Sequence, residues 1–517
     1  MMGAVTKAIL EKKNTDLRIQ VHNLRAKLDL AQSGNNPEME RLISELKEKD
    51  KTITMLQEYI ETLSRENEGL RSELDTYKEQ AKIQEERNDK LEAILKKDST
   101  NSSKPPSGDN KPNRRVNTYN SREKSPLPSG GQEKHKGYNL SKSQVEEKIK
   151  NGEVVHKVIE HKEDNSSDSY VSKYTVDMEV RTIVTEHRFY RNESGEVSIP
   201  KEYTTDVQYG NEIKTLVVSL LGQGIVSFNR TADLLSEMSG NNINVSEGSI
   251  YNFMTEFDRK AEPSIDAIKM NIFSGEVMWV DSTGSRCGGK NMHFRNYSNE
   301  GYVLYTFNPT KGKKAIEDDG ILPAYSGILE HDHETANYSY ANGNGECNVH
   351  AARYLEANFE NTLNVWSEDM IRFLMTINRS KKIAQAYGLD KFDEKKLAEY
   401  SDEYDAIIEN GYSGLENTTS EYYRRAEKRL LNRLKKYKDN HLLFVYNFKV
   451  PFDNNLSERD LRMVKGKTKM SGGFRSLAGA KKFATLMSVV KTSIKQKSSP
   501  FKAIRSVFQG HPILNWM

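Results

Sequence analysis

The chain has 517 residues, with 77 Lys and Arg against 74 Asp and Glu and a net charge of +3, so it is neither a uniformly acidic nor a uniformly basic protein. Its length exceeds one ordinary core and predicts several domains. Two cysteines, Cys287 and Cys347, argue against a disulfide framework, and the lack of a secretory h-region or any run of about 18 apolar residues argues against membrane insertion.

Residues 1–31 follow a helical period through Leu17, Val21, Leu24 and Leu28, which Ser33 to Pro37 interrupts. From Leu42 a heptad runs with Leu46, Ile53, Ile60, Asn67, Leu74, Ala81, Asn88 and Leu95 at a, and Leu42, Lys49, Leu56, Leu63, Leu70, Tyr77, Gln84 and Leu91 at d. Isoleucine at a with leucine at d favours two parallel strands, and a polar Asn67 at a fixes register. Residues 1–98 are therefore expected to form a dimerising coiled coil, with a hairpin onto residues 1–31 as the intramolecular alternative.

Residues 99–149 are rich in Ser, Pro, Asn and Gly, carry Arg114 and Arg115 among several cations, and show no apolar period. They read as a disordered basic linker, able to lie along nucleic acid or to act as a plain spacer. Over 150–207, stretches such as EVVHKVIEH and SKYTVDMEVRTIVTEHRFYR alternate apolar and polar residues, which predicts a small antiparallel β-rich module. Residues 208–270 return to helical spacing. Gly240 and Asn241 close one helix there and Ser246 with Ser249 opens the next, a helix-turn-helix outline that fits a DNA-binding element and a purely structural bundle alike.

From 271 the pattern becomes mixed α/β. The run Val277 to Val280 ends in Asp281, and GILEHDHE places Asp332 near the end of another short strand. Carboxylates held where buried strands emerge suit a two-metal phosphoryl-transfer site. Asp318 and Asp319 are alternative acids, and His331, His333 and Glu334 form a rival cluster. Cys347 and His350 lie three apart, a spacing that without a second pair is more often core packing than a metal site. Residues 351–445 read as a helical insertion with a basic run at Arg424, Arg425, Lys428, Arg429, Arg433, Lys435 and Lys436. The chain then returns with VPFDNNLSERDLRMVKGKTKMSGGF, where Glu458 sits among Arg459, Arg462, Lys465, Lys467 and Lys469. Residues 447–510 hold 14 Lys and Arg against 3 Asp and Glu, so charge is segregated towards a polyanionic partner. A basic helical tail is expected over 491–517.

The linker NSSKPPSGDN, the stretch WVDSTG, the segment GILEHDHETANY, the CNVHAARYLEA helix and DNNLSERDLRMVKGKTK follow one another as in bacterial transposases of the insertion-sequence-66 type, which the chain resembles over nearly its whole length. The resemblance implies a ribonuclease H-like catalytic domain, here over 271–350 and 446–490, with a helical insertion and a preceding coiled coil. It also implies DNA strand cleavage and transfer with two Mg²⁺ or Mn²⁺ ions on an acidic triad. Carried onto this chain, the triad is Asp281, Asp332 and Glu458, and Arg459, Arg462, Lys465 and Lys467 grip phosphates. The implied partners are double-stranded DNA, a second copy through the coiled coil and accessory transposition proteins, in a cytoplasmic, nucleoid-associated setting without a membrane.

Two departures stand out. Members carry paired C-x-x-C motifs between linker and catalytic domain, whereas residues 150–195 contain no cysteine, so no zinc is expected and the module reads as a zinc-finger-like remnant. The acid usual after the first aspartate is Ser282 here. These losses leave a rival reading, a non-catalytic dimeric DNA-binding protein derived from a transposase.

Overall fold

The structure is a computed structural model that describes residues 2–30, 37–97, 140–161, 169–203 and 205–511. Arg114, Arg115 and most of the expected linker lie outside the described residues. The chain divides into two compact units, residues 1–97 with 415–427, and residues 98–414 with 428–517.

In the first unit α1 (Met2–Leu30) folds back along α2 (Pro37–Leu95). Val21 of α1 buries against Leu46 and Ile53 of α2, with Leu17, Leu24 and Leu28 packed around them. Only six positions separate Leu30 from Pro37, too few for a parallel return along α1, so the two helices run antiparallel, tied by Arg25 to Asp50 at 3.1 Å and Lys49 to Gln20 at 3.0 Å. The hairpin alternative thus holds for the first part of α2. At 59 residues α2 is about 88 Å long, far longer than its partner. Its distal heptad residues stay exposed within this chain, Leu70 at 64% and Leu95 at 84%.

The second unit begins with α3 (Lys142–Lys150), opened by a capping box at Ser141 and Gln144. Among the described residues of 150–207 the expected β-rich module is not formed. Among its described residues the only ladder is a single bridge between Arg191 and Val197. The alternating apolar residues have no surface to cover: Val155, Ile183 and Val184 are all more than four-fifths exposed. Alternation makes a strand only where one face is buried.

Helices α4 (Asn211–Gly222), α5 (Phe228–Met238), α6 (Glu247–Lys260) and α7 (Glu262–Phe273) follow. Gly240 and Asn241 sit at φ 61° and 64° after α5, and Ser246 caps α6 by accepting from Ser249 N at 3.0 Å, as their sequence predicts. The expected basic tail is instead structural. After α15 (Leu477–Lys495), α16 (Pro500–Phe508) buries Ala503, Ile504, Val507 and Phe508 against Val217, Leu221, Ile250 and Phe257 of α4 and α6. Its cations face out while its apolar stripe completes a core begun nearly 300 residues earlier.

Five strands form one mixed sheet in the order β3-β2-β1-β4-β5. Strands β1 (Val277–Cys287), β2 (Lys290–Ser298) and β3 (Val303–Asn308) are antiparallel neighbours, while β4 (Ile328–His331) and β5 (Gly343–Glu346) run parallel to β1. Gly288 and Gly289, both at positive φ, make the two-residue turn between β1 and β2. One face of the sheet buries Met278, Val280, Tyr297, Leu304 and Leu329 against α7 and α8 (Lys313–Asp319). The other buries Phe294, Val303, Tyr305 and Phe307 against α15 and α14 (Asn455–Ser471). Between β5 and α14 come α9 (Asn348–Thr362), α10 (Trp366–Ala386), α11 (Glu394–Gly414), α12 (Glu421–Lys436) and α13 (Lys438–Tyr446).

Candidate metal centre and its basic flank

Register brings the first two acids together. In the parallel pair β1 and β4, Val280 lies opposite His331, so the next residues lie side by side on one face of strands about 4.8 Å apart: Asp332 just past the end of β4, and Asp281 inside β1, which runs on to Cys287 instead of ending at the acid as its sequence suggests. The third acid arrives on α14. Asn454, fully buried before the helix, donates from Nδ2 to Val280 O at 3.0 Å. Ser457 and Asn296 exchange two bonds, Oγ to Oδ1 at 2.8 Å and Nδ2 to O at 3.1 Å. Asp460 takes Ser298 Oγ at 2.9 Å and Lys495 Nζ at 2.7 Å. These bonds fix the first turn of α14 over β1 and β2 and set Glu458 beside the other two acids.

The electrostatics agree with that grouping. Burial, then the neighbouring Asp332, push the Asp281 carboxyl up to about 7; Lys465 and the Ser282 N–H oppose the rise, and Glu458 adds to it. Burial also works to raise Asp332, but His350, Asn454 and Cys347 outweigh it and hold that carboxyl below its usual range. Asp332 Oδ1 is buried and has no well-aligned hydrogen bond. Asp281, Asp332 and Glu458 thus lie near enough to act on one another's ionisation, although their oxygens do not all fall within 4.8 Å of one another, and carboxylate oxygens are the donors that Mg²⁺ or Mn²⁺ takes.

Around the acids, Cys347 and His350 are brought in by the start of α9. His350 Nδ1 is 3.2 Å from Asp332 Oδ1 and its Nε2 is 3.6 Å from Glu458 Oε1. Among the described residues, the one group of three or more His, Cys, Asp or Glu whose ligand atoms all lie within 4.8 Å of one another is Asp332, Cys347 and His350. The rival acids are engaged elsewhere. Asp319 accepts from Tyr297, Thr306 and Asn308 at 2.7–2.8 Å. His333 leaves the strand at φ 60° and pairs with Glu346; His331 packs on Tyr338; Glu334 receives Arg295. The Arg295–Glu334 pair is itself nearly buried and ties the loop after Asp332 to β2. Behind Asp332, burial pushes the fully enclosed Glu330 well above the carboxylate range. Gly345 opposite it leaves the necessary room, since a Cβ there would lie 2.2 Å from Glu330 Oε2.

The basic flank also comes from α14. Glu458, Arg462, Lys465 and Lys469 recur at helical spacing and form one stripe, with Arg462, Lys465 and Lys469 exposed and Arg459 beside them. Lys467 differs: it is half-buried, and burial lowers its pKa. The basic run on α12 is largely paired, Arg425 with Glu86, Arg433 with Glu346 and Lys435 with Glu409. Nothing in the sequence marks the roles of Asn296, Asn454 and Arg295, because the bonds that matter here, to Ser457, Val280 and Glu334, span 39 to 174 positions.

A family model described as transposase IS66 family matches residues 206–482, which include the sheet, the three acids and α14. A model of a family of unknown function (DUF6444) matches residues 11–141. No curated protein matches the chain. Among the described residues no helix is long and apolar enough to cross a membrane.

Proposed function

The chain belongs to the transposase IS66 family, and from that membership we propose that it is a DDE-type enzyme that cuts the ends of an insertion sequence and joins them to target DNA. The observation that carries this reading is the meeting of Asp281, Asp332 and Glu458, from segments spread over 178 positions, at the foot of an exposed basic stripe. The strand order, with three antiparallel strands and two parallel to the first, supports a ribonuclease H-like catalytic domain.

Asp281, Asp332 and Glu458 would hold two Mg²⁺ or Mn²⁺ ions. When bound, such ions make an attacking oxygen more nucleophilic and stabilise the leaving one in an in-line displacement at phosphorus. The protein's own part is positional. The β1 ladder fixes Asp281 and the end of β4 fixes Asp332, Asn454 and Asn296 lock α14 against β1, and Arg459, Arg462, Lys465 and Lys469 draw a phosphodiester backbone across the acids. Lys465 acts on both, since its charge also opposes the rise in Asp281's pKa. The uncovered heptads of α2 supply the surface for a parallel dimer, which would bring two transposon ends together.

Cleavage of a DNA substrate carrying the element's own ends tests this. Asp281→Asn, Asp332→Asn and Glu458→Gln should each abolish Mg²⁺-dependent end cleavage while leaving DNA binding intact. Wild-type protein that binds the ends without cutting them in Mg²⁺ or Mn²⁺ would favour the non-catalytic DNA-binding reading.

A further inference from the structure

One side chain at the acids has no part in the reading above. His350 lies in the first turn of α9, is 6% exposed, and has a neighbour on each side of its ring. We propose that His350 is a positioning residue of the acid centre, its ring setting the spacing at which Asp332 and Glu458 present their carboxylates to a divalent ion. The inference rests on the acid-centre reading of the preceding subsection.

The geometry is that of a spacer. Nδ1 faces Asp332 Oδ1 at 3.2 Å and Cys347 Sγ at 3.3 Å. Nε2 faces Glu458 Oε1 at 3.6 Å and accepts from Arg353 Nη1 at 3.2 Å, which puts the ring proton on Nδ1, towards Asp332. The ring thus touches two acids that are 126 positions apart in sequence and belong to different elements. Its own support is firm. Cys347 N bonds His331 O at 3.1 Å, and Asn348 N bonds Phe452 O at 3.1 Å. Cys347 Sγ accepts from Asn454 N at 3.2 Å, and Asn348 Nδ2 donates to His441 O at 3.0 Å. The C-x-x-H segment is therefore a clamp joining the end of β4 to the approach to α14, and His350 is the part of it that reaches the acids. Groups that hold metal-binding side chains from outside are worth roughly 10–100-fold in metal affinity or activity.

The test measures Mn²⁺ binding to the full-length protein by electron paramagnetic resonance, beside thermal unfolding and end cleavage. His350→Ala should weaken Mn²⁺ binding about tenfold and lower cleavage at saturating DNA in parallel. His350→Asn, whose amide N–H can replace Nδ1–H, should restore part of both. Should His350→Ala fail to fold, His350→Phe fills the same volume without ring nitrogens and should show the same loss. Wild-type Mn²⁺ binding in folded His350→Ala or His350→Phe would overturn the proposal. So would a thiolate-to-metal absorption band on adding Co²⁺ that Cys347→Ser removes, because His350 would then be a ligand of a separate soft-metal site. Asp332→Asn separates the two levels: if it too leaves Mn²⁺ binding unchanged, the acid-centre reading fails, and if it abolishes binding while His350→Phe does not, only the role of His350 fails.

Discussion

Replacing Arg295 by Met should destabilise the catalytic unit and disturb the acids without touching any of them. Arg295 is 3% exposed and gives two hydrogen bonds to Glu334, at 2.8 and 3.1 Å, plus one to Lys311 O at 2.5 Å. Methionine keeps most of the volume but leaves the Glu334 carboxylate, 14% exposed, without its cation. Breaking a buried pair from one side costs about 3–5 kcal/mol. At roughly 1 °C or a little more per kcal/mol for a unit of about 400 residues, the melting temperature should fall by about 4–6 °C. Adding Glu334→Gln removes the orphaned charge and should recover much of that loss, a coupling of about 1–3 kcal/mol in the double-mutant cycle. Because Glu334 is two residues beyond Asp332, Arg295→Met should also raise the Mg²⁺ concentration needed for end cleavage. Thermal unfolding by circular dichroism, with a Mg²⁺ titration of cleavage, reads both effects. A melting temperature within about 2 °C of wild type, or strictly additive single changes, would refute the reasoning.

Three further outcomes are expected. Gly345→Ala drives a methyl into Glu330 and should cost about 1–3 kcal/mol in unfolding experiments, with Glu330→Ala in the same chain relieving the clash. Arg462→Ala and Lys465→Ala should weaken DNA binding whatever its sequence and each lower the salt slope by about 0.9, whereas Lys467→Ala, half-buried, should change the slope less; fluorescence anisotropy across a salt series measures this. Deleting residues 500–517 removes Ile504, Val507 and Phe508 from the core around α4 and should unfold that helical bundle rather than merely reduce DNA affinity, visible as a lost or lowered thermal transition.

Much of the sheet was legible because its signal is local. The apolar run before Asp281 and the short strand before Asp332 mark two buried strands and parallel pairing sets the acids side by side, but β1 continues to Cys287 because its polar second half pairs with β2, which the apolar run could not show. The helix ends at Gly240 and Ser246 were equally readable, since capping involves only near neighbours. Glu458 stood out as a lone acid in a cationic segment, but joining it to Asp281 and Asp332 leaned on the family resemblance, because its place depends on Asn454 and Ser457 bonding β1 and β2 more than 160 positions away. His350 looked like core packing for the same reason: its partners, Asp332 and Glu458, are not its sequence neighbours. Residues 150–207 mislead in the opposite direction. Their alternation is real, but a period of two does not supply the surface that would bury one face. In the C-terminal segment, counting charge concealed the stripe Ala503, Ile504, Val507 and Phe508, whose spacing marks a buried helix face.

The convergence of Asp281, Asp332 and Glu458 on one ion site is open to a direct chemical measurement. Fe²⁺ substituted for Mg²⁺ in the folded protein, with ascorbate and peroxide, generates hydroxyl radicals that cut the backbone close to the bound ion. The account predicts three cuts, near residues 281, 332 and 458, all suppressed by excess Mg²⁺ and all lost together in Asp332→Asn. Cuts confined to one of these segments, or insensitive to Mg²⁺, would contradict it.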